Sequence, residues 1–587
     1  MSRGWSIVRL SALCALAFTF LGCGTGKRAE REAGVYAGLV GETISLYGKI
    51  EPLRASSLGM TRSDSLLFTF SDGEVTGALS QLRKLEGRFS SLGAARLAAR
   101  DIDNVEVIAY WLRGEIFALA ELKSFRFNPL LYCWAAEEAF WGMPSRSTTP
   151  YPGELGAYRA RVRKIPSLFA NARRLLDNPA EAHTLFAAER LDSISAEFGR
   201  LEAAITKRYG ESPAVELAEA RSSVASFRRF LADTLLSRSL GRTILGTEYL
   251  SKIFLYDELL NADPNMIMGK AESSMRRLQS TKSSLQRRIE LEKSGGKLPR
   301  AVPQPGKKEP ARATPRPEAP RTGVPRANEP FDARIGRLLD ELTSGAATTL
   351  GTKPGPGLVI EYPAHIDYPV RISKLPYATI PPAGPLVAQV SFTEPLDAPP
   401  CQPYGIFSSA GGALDDDHLR LALLRTLPEA LETDAARCAE RDTVRAIFSS
   451  EVFREAWFYV GSRDRTANLK TADPTLNILL LEDEIRALAL MVVVFRIHGG
   501  AMTSEEGTQY LAQSAGMSRA EASKEVLAAS VSPGLAYRGI AMVLVENLLE
   551  TISYVSGIQK PEQQLRKLLL ENRDLPLPLI EKKIEKD

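Results

Sequence analysis

The segment Lys297–Arg326 constrains this chain more than any other feature. Its 30 residues hold eight prolines and no aromatic residue. Eight are basic (Lys297, Arg300, Lys307, Lys308, Arg312, Arg316, Arg321, Arg326) and two are acidic (Glu309, Glu318), a net charge of +6. Such a stretch cannot bury enough apolar surface to offset the entropy of ordering it. One helical unit therefore cannot run through it unbroken. The 587 residues read as two folded halves with a basic, proline-rich, disordered linker at 294–330. The linker's charge also suits contact with anionic lipid or a cell-wall polymer. Over the whole chain the composition is ordinary for a globular protein, 44% hydrophobic and 25% charged. The whole chain carries a formal net charge of only +4. That excludes a generally basic surface for nucleic acid.

The N-terminus has the layout of an export signal. Arg3 and Arg9 precede an apolar run from Leu10 to Leu21, followed by Gly22 and Cys23. The run is shorter than the roughly 20 residues that span a bilayer and fits a secretory h-region. Phe20-Leu21-Gly22-Cys23 is similar to a bacterial lipobox, in which the cysteine takes a diacylglycerol and an amide-linked acyl chain and becomes the mature N-terminus. Phe20 and Leu21 depart from the residues usual there, so ordinary signal-peptidase cleavage is the alternative. The reading is a signal over 1–22, lipid on Cys23, a tether over 23–40, and an exported protein held on a bacterial membrane. Five cysteines occur: Cys14, Cys23, Cys133, Cys401 and Cys438. With Cys14 removed and Cys23 modified, at most one disulfide can form.

The periodicity predicts a mainly α protein. In the first half (41–293), Val105, Ile108, Ala109, Leu112, Ile116 and Leu119 recur at helical spacing. Asn128-Pro129, Ile165-Pro166 and Asn178-Pro179 punctuate further helices. Gly246–Leu260 and Ser273–Glu290 close that half. The second half (331–556) opens on an amphipathic helix at Phe331–Leu342. A small β section follows at Leu358–Tyr362, Val370–Ser373, Leu386–Phe392 and Tyr404–Ser408. Helices resume near Leu414. Leu476–Phe495 is apolar but interrupted by Glu482, Asp483, Glu484 and Arg486, so it reads as a buried core helix. Thr503 with Glu506 and Ser518 with Glu521 have the spacing of capping boxes. The last segment, 557–587, reads as one helix opened by Pro561 and a charged, frayed tail.

Motifs for chemistry are scarce. There is no Gly-x-Ser-x-Gly elbow, P-loop, Gly-x-Gly-x-x-Gly after a strand, or His-Glu-x-x-His. Only four histidines occur: His183, His365, His418 and His498. Asp415-Asp416-Asp417-His418 reads as a helix start, because acidic residues there complement the free amides and consecutive side chains diverge.

Between Ser450 and Leu549 the order of short motifs resembles a bacterial family called domain of unknown function 885, secreted lipoproteins of zinc-metallopeptidase type. Glu455-Ala456-Trp457-Phe458-Tyr459 is similar to its Glu-Gly-Trp-Ala-Leu-Tyr signature. Arg486-Ala487, His498-Gly499-Gly500, Ser532-Pro533-Gly534 and Ala536-Tyr537-Arg538-Gly539 follow in order. In the first half Asn128-Pro129-Leu130-Leu131-Tyr132 and Arg163-Lys164-Ile165-Pro166 fit as well. The resemblance covers about residues 40–555, with the basic linker as an insertion. It implies a large multi-helical metallopeptidase-like fold with a small β element. It also implies a cleft that includes Glu455, Trp457, Arg486, His498 and Tyr537.

The chain departs from that family at the metal. The family's His-Glu and later His-His map onto Leu424-Arg425 and onto Ala430 and Leu431, none of which binds zinc. Glu455 remains as a lone carboxylate ligand, and a catalytic zinc needs about three protein ligands. The expectation is therefore a non-catalytic relative without metal or other cofactor, lipid-anchored in the envelope, whose cleft binds a peptide or an envelope protein. Two alternatives stay open: a hydrolase with rebuilt metal ligands or none, and a purely structural envelope lipoprotein.

Overall fold

The computed structural model describes residues 30–93, 96–144, 150–294, 358–361, 386–392, 404–407, 442–468, 474–556 and 560–585. Cys23, the basic linker, the Phe331–Leu342 helix, the Val370–Ser373 run, the Asp415–His418 cluster and the four vacated positions Leu424, Arg425, Ala430 and Leu431 lie outside them.

The fold is mainly α. Helix α1 runs over 30–50 and so begins inside the segment expected as a tether. Tyr36, Leu39, Thr43, Leu46, Tyr47 and Ile50 recur on one face and are buried, which holds it against the body. Pro52 ends α1, and α2 (Pro52–Ser57) restarts at a new angle. Helices α3 (Asp72–Ser90) and α4 (Ala99–Phe117) pair as a hairpin. A π turn at Ala118–Leu122 extends α4. Helix α5 (Leu130–Trp141) is apolar around nearly its whole circumference and is buried throughout, Glu138 being the partly exposed exception. It forms the centre of the first half, with α6 (Glu154–Val162), α7 (Ile165–Leu175), α8 (Glu181–Tyr209) and α9 (Ala214–Phe230) packed around it. Helices α10 (Thr247–Glu258) and α11 (Pro264–Lys293) follow. Helix α11 starts well before Ser273 because Asp263 caps it, accepting from the Asn265 amide at 2.9 Å ahead of Pro264. Cys133 on α5 is buried and free.

Three of the four expected β runs form strands: β1 (Leu358–Glu361), β2 (Leu386–Phe392) and β3 (Tyr404–Phe407). They make an antiparallel sheet in the order β1-β2-β3, with Leu358 opposite Phe392 and Leu386 opposite Phe407.

The second half continues with α12 (Thr443–Ile447), α13 (Glu451–Asn468), α14 (Pro474–His498), α15 (Ser504–Ala515), α16 (Arg519–Val531), α17 (Tyr537–Ser556), α18 (Pro561–Glu571) and α19 (Leu577–Ile584). Both expected capping boxes form, on α15 and α16. Helix α14 is a buried core helix, packed by α11, α15, α16 and α17. Gly539 lets α17 lie directly on α14. A Cβ there would sit 2.6 Å from Met491 Cβ and 2.8 Å from the Ala487 carbonyl oxygen. Among the described residues no single helix is long and apolar enough to cross a membrane.

The two halves share one hydrophobic core. Helix α11 of the first lies along α14 of the second, with ion pairs Arg496–Glu272 (2.6 Å) and Lys282–Glu482 (2.7 Å) along the seam. The helix expected at Pro561 forms as α18, and the tail expected to fray beyond it folds as α19. Leu565, Leu569, Leu575, Leu577, Ile580 and Ile584 are buried, while Lys582 and Lys583 pair with Glu106 and Asp103 of α4. The charges lie on one face and the apolar side chains on the other, so the segment docks.

Candidate functional site

The five retained family-like positions do not meet in one cleft. Glu455 on α13 lies 3.9 Å from Arg538 on α17, and Arg538 is held by both oxygens of Asp483 on α14, the Nη1–Oδ1 bond being 2.8 Å. Burial alone would lower the Arg538 pKa; the Asp483 carboxylate, helped by Glu455 and Glu484, outweighs it and holds the cation firmly charged. His498 ends α14. Asp483 and His498 are 15 residues apart on that helix, about 22 Å of rise. The imidazole is 1% exposed and its Nε2 lies 2.9 Å from the Ala529 carbonyl oxygen. A carbonyl only accepts, so Nε2 carries the proton and donates. Burial pushes this histidine down to about 4, with the Ala529 and Thr243 carbonyls opposing.

The other three positions are equally committed. Trp457 is buried and lines a small pocket together with Leu569 and Leu570 of α18. Arg486 is exposed and faces Glu521 and Glu525 of α16. Tyr537 donates to Asp257 Oδ2 on α10 at 2.6 Å. Burial first, then the Asp257 charge, raise its pKa and keep the phenol protonated.

These contacts do not suit a zinc ion. Glu455 lies beside the Arg538 guanidinium, and the His498 imidazole, 15 residues along α14 from Arg538's partner Asp483, is committed to the Ala529 carbonyl, so neither is set up as a zinc ligand. Among the described residues no group of three or more His, Cys, Asp or Glu side chains is placed to hold a metal.

The polar residues that do converge lie where the halves join; the sequence named Tyr537 among them and missed the rest. Tyr537 reaches Asp257. The next residue, Glu258, accepts the Ser450 hydroxyl and, at 3.0 Å, the Glu451 amide. Glu451 in turn pairs with Arg454 and lies 3.9 Å from Arg54. Helix α10 thus carries two adjacent carboxylates that face the second half, one for the start of α17 and one for the start of α13.

Beside this seam is a cavity lined by Tyr47, Glu51, Arg54, Trp111, Glu115, Asp257 and Phe448, among others. Local chemistry explains why Glu51 is there. Proline disfavours helical backbone in the residue before it, and Glu51 accordingly leaves the helix at φ −115°, ψ 57°. Its side chain is 5% exposed. Oε1 takes only a long 3.5 Å contact from the Trp111 indole, and Oε2 has no hydrogen-bond partner. The Tyr47 hydroxyl, 1% exposed, makes no hydrogen bond of good geometry either, although the Arg54 guanidinium lies near both it and Glu51. Leaving such a group unsatisfied costs about 1–3 kcal/mol, more when charged. Tyr47, Trp111 and Phe448 pack on one another, with centroids 4.9–5.7 Å apart. Gly114 brings α4 close to α10 here; a Cβ on it would stand 3.2 Å from Tyr256 Cβ.

No family model matches this chain and no curated protein matches it. Solved structures do, among them the following two. One, from Shewanella oneidensis, is described as "a putative lipoprotein of unknown function". It superposes with a TM-score of 0.68 at 15% identity, over 94% of this chain and 99% of its own. The other, a "putative lipoprotein from Colwellia psychrerythraea", gives 0.65 at 13% identity with the same coverage, 94% and 99%. At these identities the likeness establishes a shared fold.

Proposed function

We propose that this chain is a lipid-anchored protein of the bacterial envelope, a non-catalytic relative of the domain of unknown function 885, whose helical body binds a ligand or partner. Three features support the anchor: the basic and apolar N-terminus, Cys23 directly after Gly22, and a fold like that of two proteins described as lipoproteins. The observation that carries the non-catalytic reading is the commitment of both retained ligand candidates: Glu455 lies beside Arg538, whose partner Asp483 is about 22 Å of helix rise from His498, and His498 is committed to the Ala529 carbonyl. The cavity with unpartnered Glu51 and Tyr47 favours binding over a purely structural role, since a scaffold gains nothing from stranded polar groups. A peptide or an envelope protein is the partner class.

Two measurements test this. Replacing Cys23 with Ala should move the protein from the membrane to the soluble envelope fraction, because the acyl chains contribute about 0.8 kcal/mol per buried CH₂. Retention on the membrane would refute the anchor. Purified full-length protein should carry no stoichiometric zinc. One chelator-removable zinc per chain, with peptidase activity lost alongside it, would restore the hydrolase alternative.

A further inference from the structure

We propose that the cavity between the halves binds a small organic ammonium ion, with Glu51 as its counter-charge. The inference rests on reading the body as a binding structure and is independent of the lipid anchor. Glu51 and Tyr47 both line the cavity, are at least nine-tenths buried, and have a polar atom without a partner. A carboxylate oxygen and a hydroxyl facing one space can both accept, which is what an N–H donor requires.

Charge points the same way. Glu51, Glu115 and Asp257 line the cavity against one cation, Arg54, a formal excess of two negative charges. A second anion would be repelled there. Metal is disfavoured because no three ligating side chains converge among the described residues. The wall also carries the packed rings of Tyr47, Trp111 and Phe448. Aromatic faces attract an organic cation within about 6 Å of the ring centroid and contribute nothing to a hydrated divalent ion.

Size sets the class further. The space open to centres of water-sized spheres is ≈ 30 Å³, about two to three times what one buried water needs. That admits an ammonium head. Glu51 and Glu115 also line a neighbouring cavity of the same size, whose wall is apolar, with Phe68, Phe70 and Phe125. An ammonium on a short hydrocarbon chain would match one cavity with its head and the other with its tail.

The test is calorimetric titration of the full-length protein in non-ionic detergent with n-butylammonium chloride, 1-butanol and sodium butyrate. Saturable heat is expected for the amine alone. E51Q should weaken it at least tenfold while still melting cooperatively, because the change keeps the side chain's size and removes the charge that faces the ammonium. Y47F, which strands no partner, should weaken binding about threefold and gives an answer even if E51Q does not fold. Wild-type protein without saturable heat at 10 mM amine would overturn the assignment, as would equal binding by both variants. Mass analysis of the recovered amine separates the two readings: unchanged amine supports both, whereas converted amine with normal binding heat keeps the cavity and overturns the non-catalytic body.

Discussion

Acid should weaken this fold through a buried histidine. His498 is held neutral, its pKa pushed from 6.5 to about 4 chiefly by burial. Its folded value is thus below its unfolded one. Between the two the unfolded chain binds the extra proton, so the stability contribution is present above pH 6.5 and is lost as pH falls toward 4. Between pH 7 and pH 5 that loss is about 2 kcal/mol. His183, likewise buried, is pushed to about 4 by burial and by the nearby His498 and adds a similar loss. Glu137 acts in the opposite sense: burial raises it to about 7 despite Arg190, so its contribution grows as pH falls through 7. The clean perturbation is therefore His498→Gln, whose amide can still donate to the Ala529 carbonyl and does not titrate. Urea unfolding at pH 7 and pH 5, followed by far-UV circular dichroism, gives the change for each protein. Glu137 is common to both and cancels. The variant should lose about 2 kcal/mol less than wild type over that interval. An equal loss in the two proteins would show that His498 is not a buried neutral group.

Three further outcomes follow from the packing. Gly539→Ala should destabilise by about 1–3 kcal/mol, because its Cβ meets the fixed Ala487 carbonyl and Met491; an unchanged urea midpoint would contradict the close α14–α17 contact. Arg538→Leu should cost about 3 kcal/mol by stranding Asp483, and adding Asp483→Leu should recover part of it; additive losses would argue against the pair. Truncation before Pro561 should destabilise the first half as well as the second, because α19 docks on α4 through Lys582 and Lys583; an unshifted transition would show that the tail does not contribute.

What the sequence determined by itself was local. The breaks at Asn128-Pro129 and Ile165-Pro166, the boxes at Thr503/Glu506 and Ser518/Glu521, and the strands near Leu358, Leu386 and Tyr404 each depend on residues a few positions apart. Proline chemistry, side-chain capping and hydrophobic period operate over that range, so composition and spacing sufficed. The C-terminal helix was also legible in Leu577, Ile580 and Ile584 at helical spacing, but the surrounding charges masked it. The site was not legible. Tyr47 with Glu51, then Glu115, Asp257 and Phe448, come from four distant places in the chain, and no spacing rule links those places. Glu455 and His498, which lie close in motif order, take separate partners, Arg538 and the Ala529 carbonyl. The tertiary structure decided both, because burial and electrostatic pairing depend on distance in space, and α10, α11 and α14 set that distance only when the two halves close on one core.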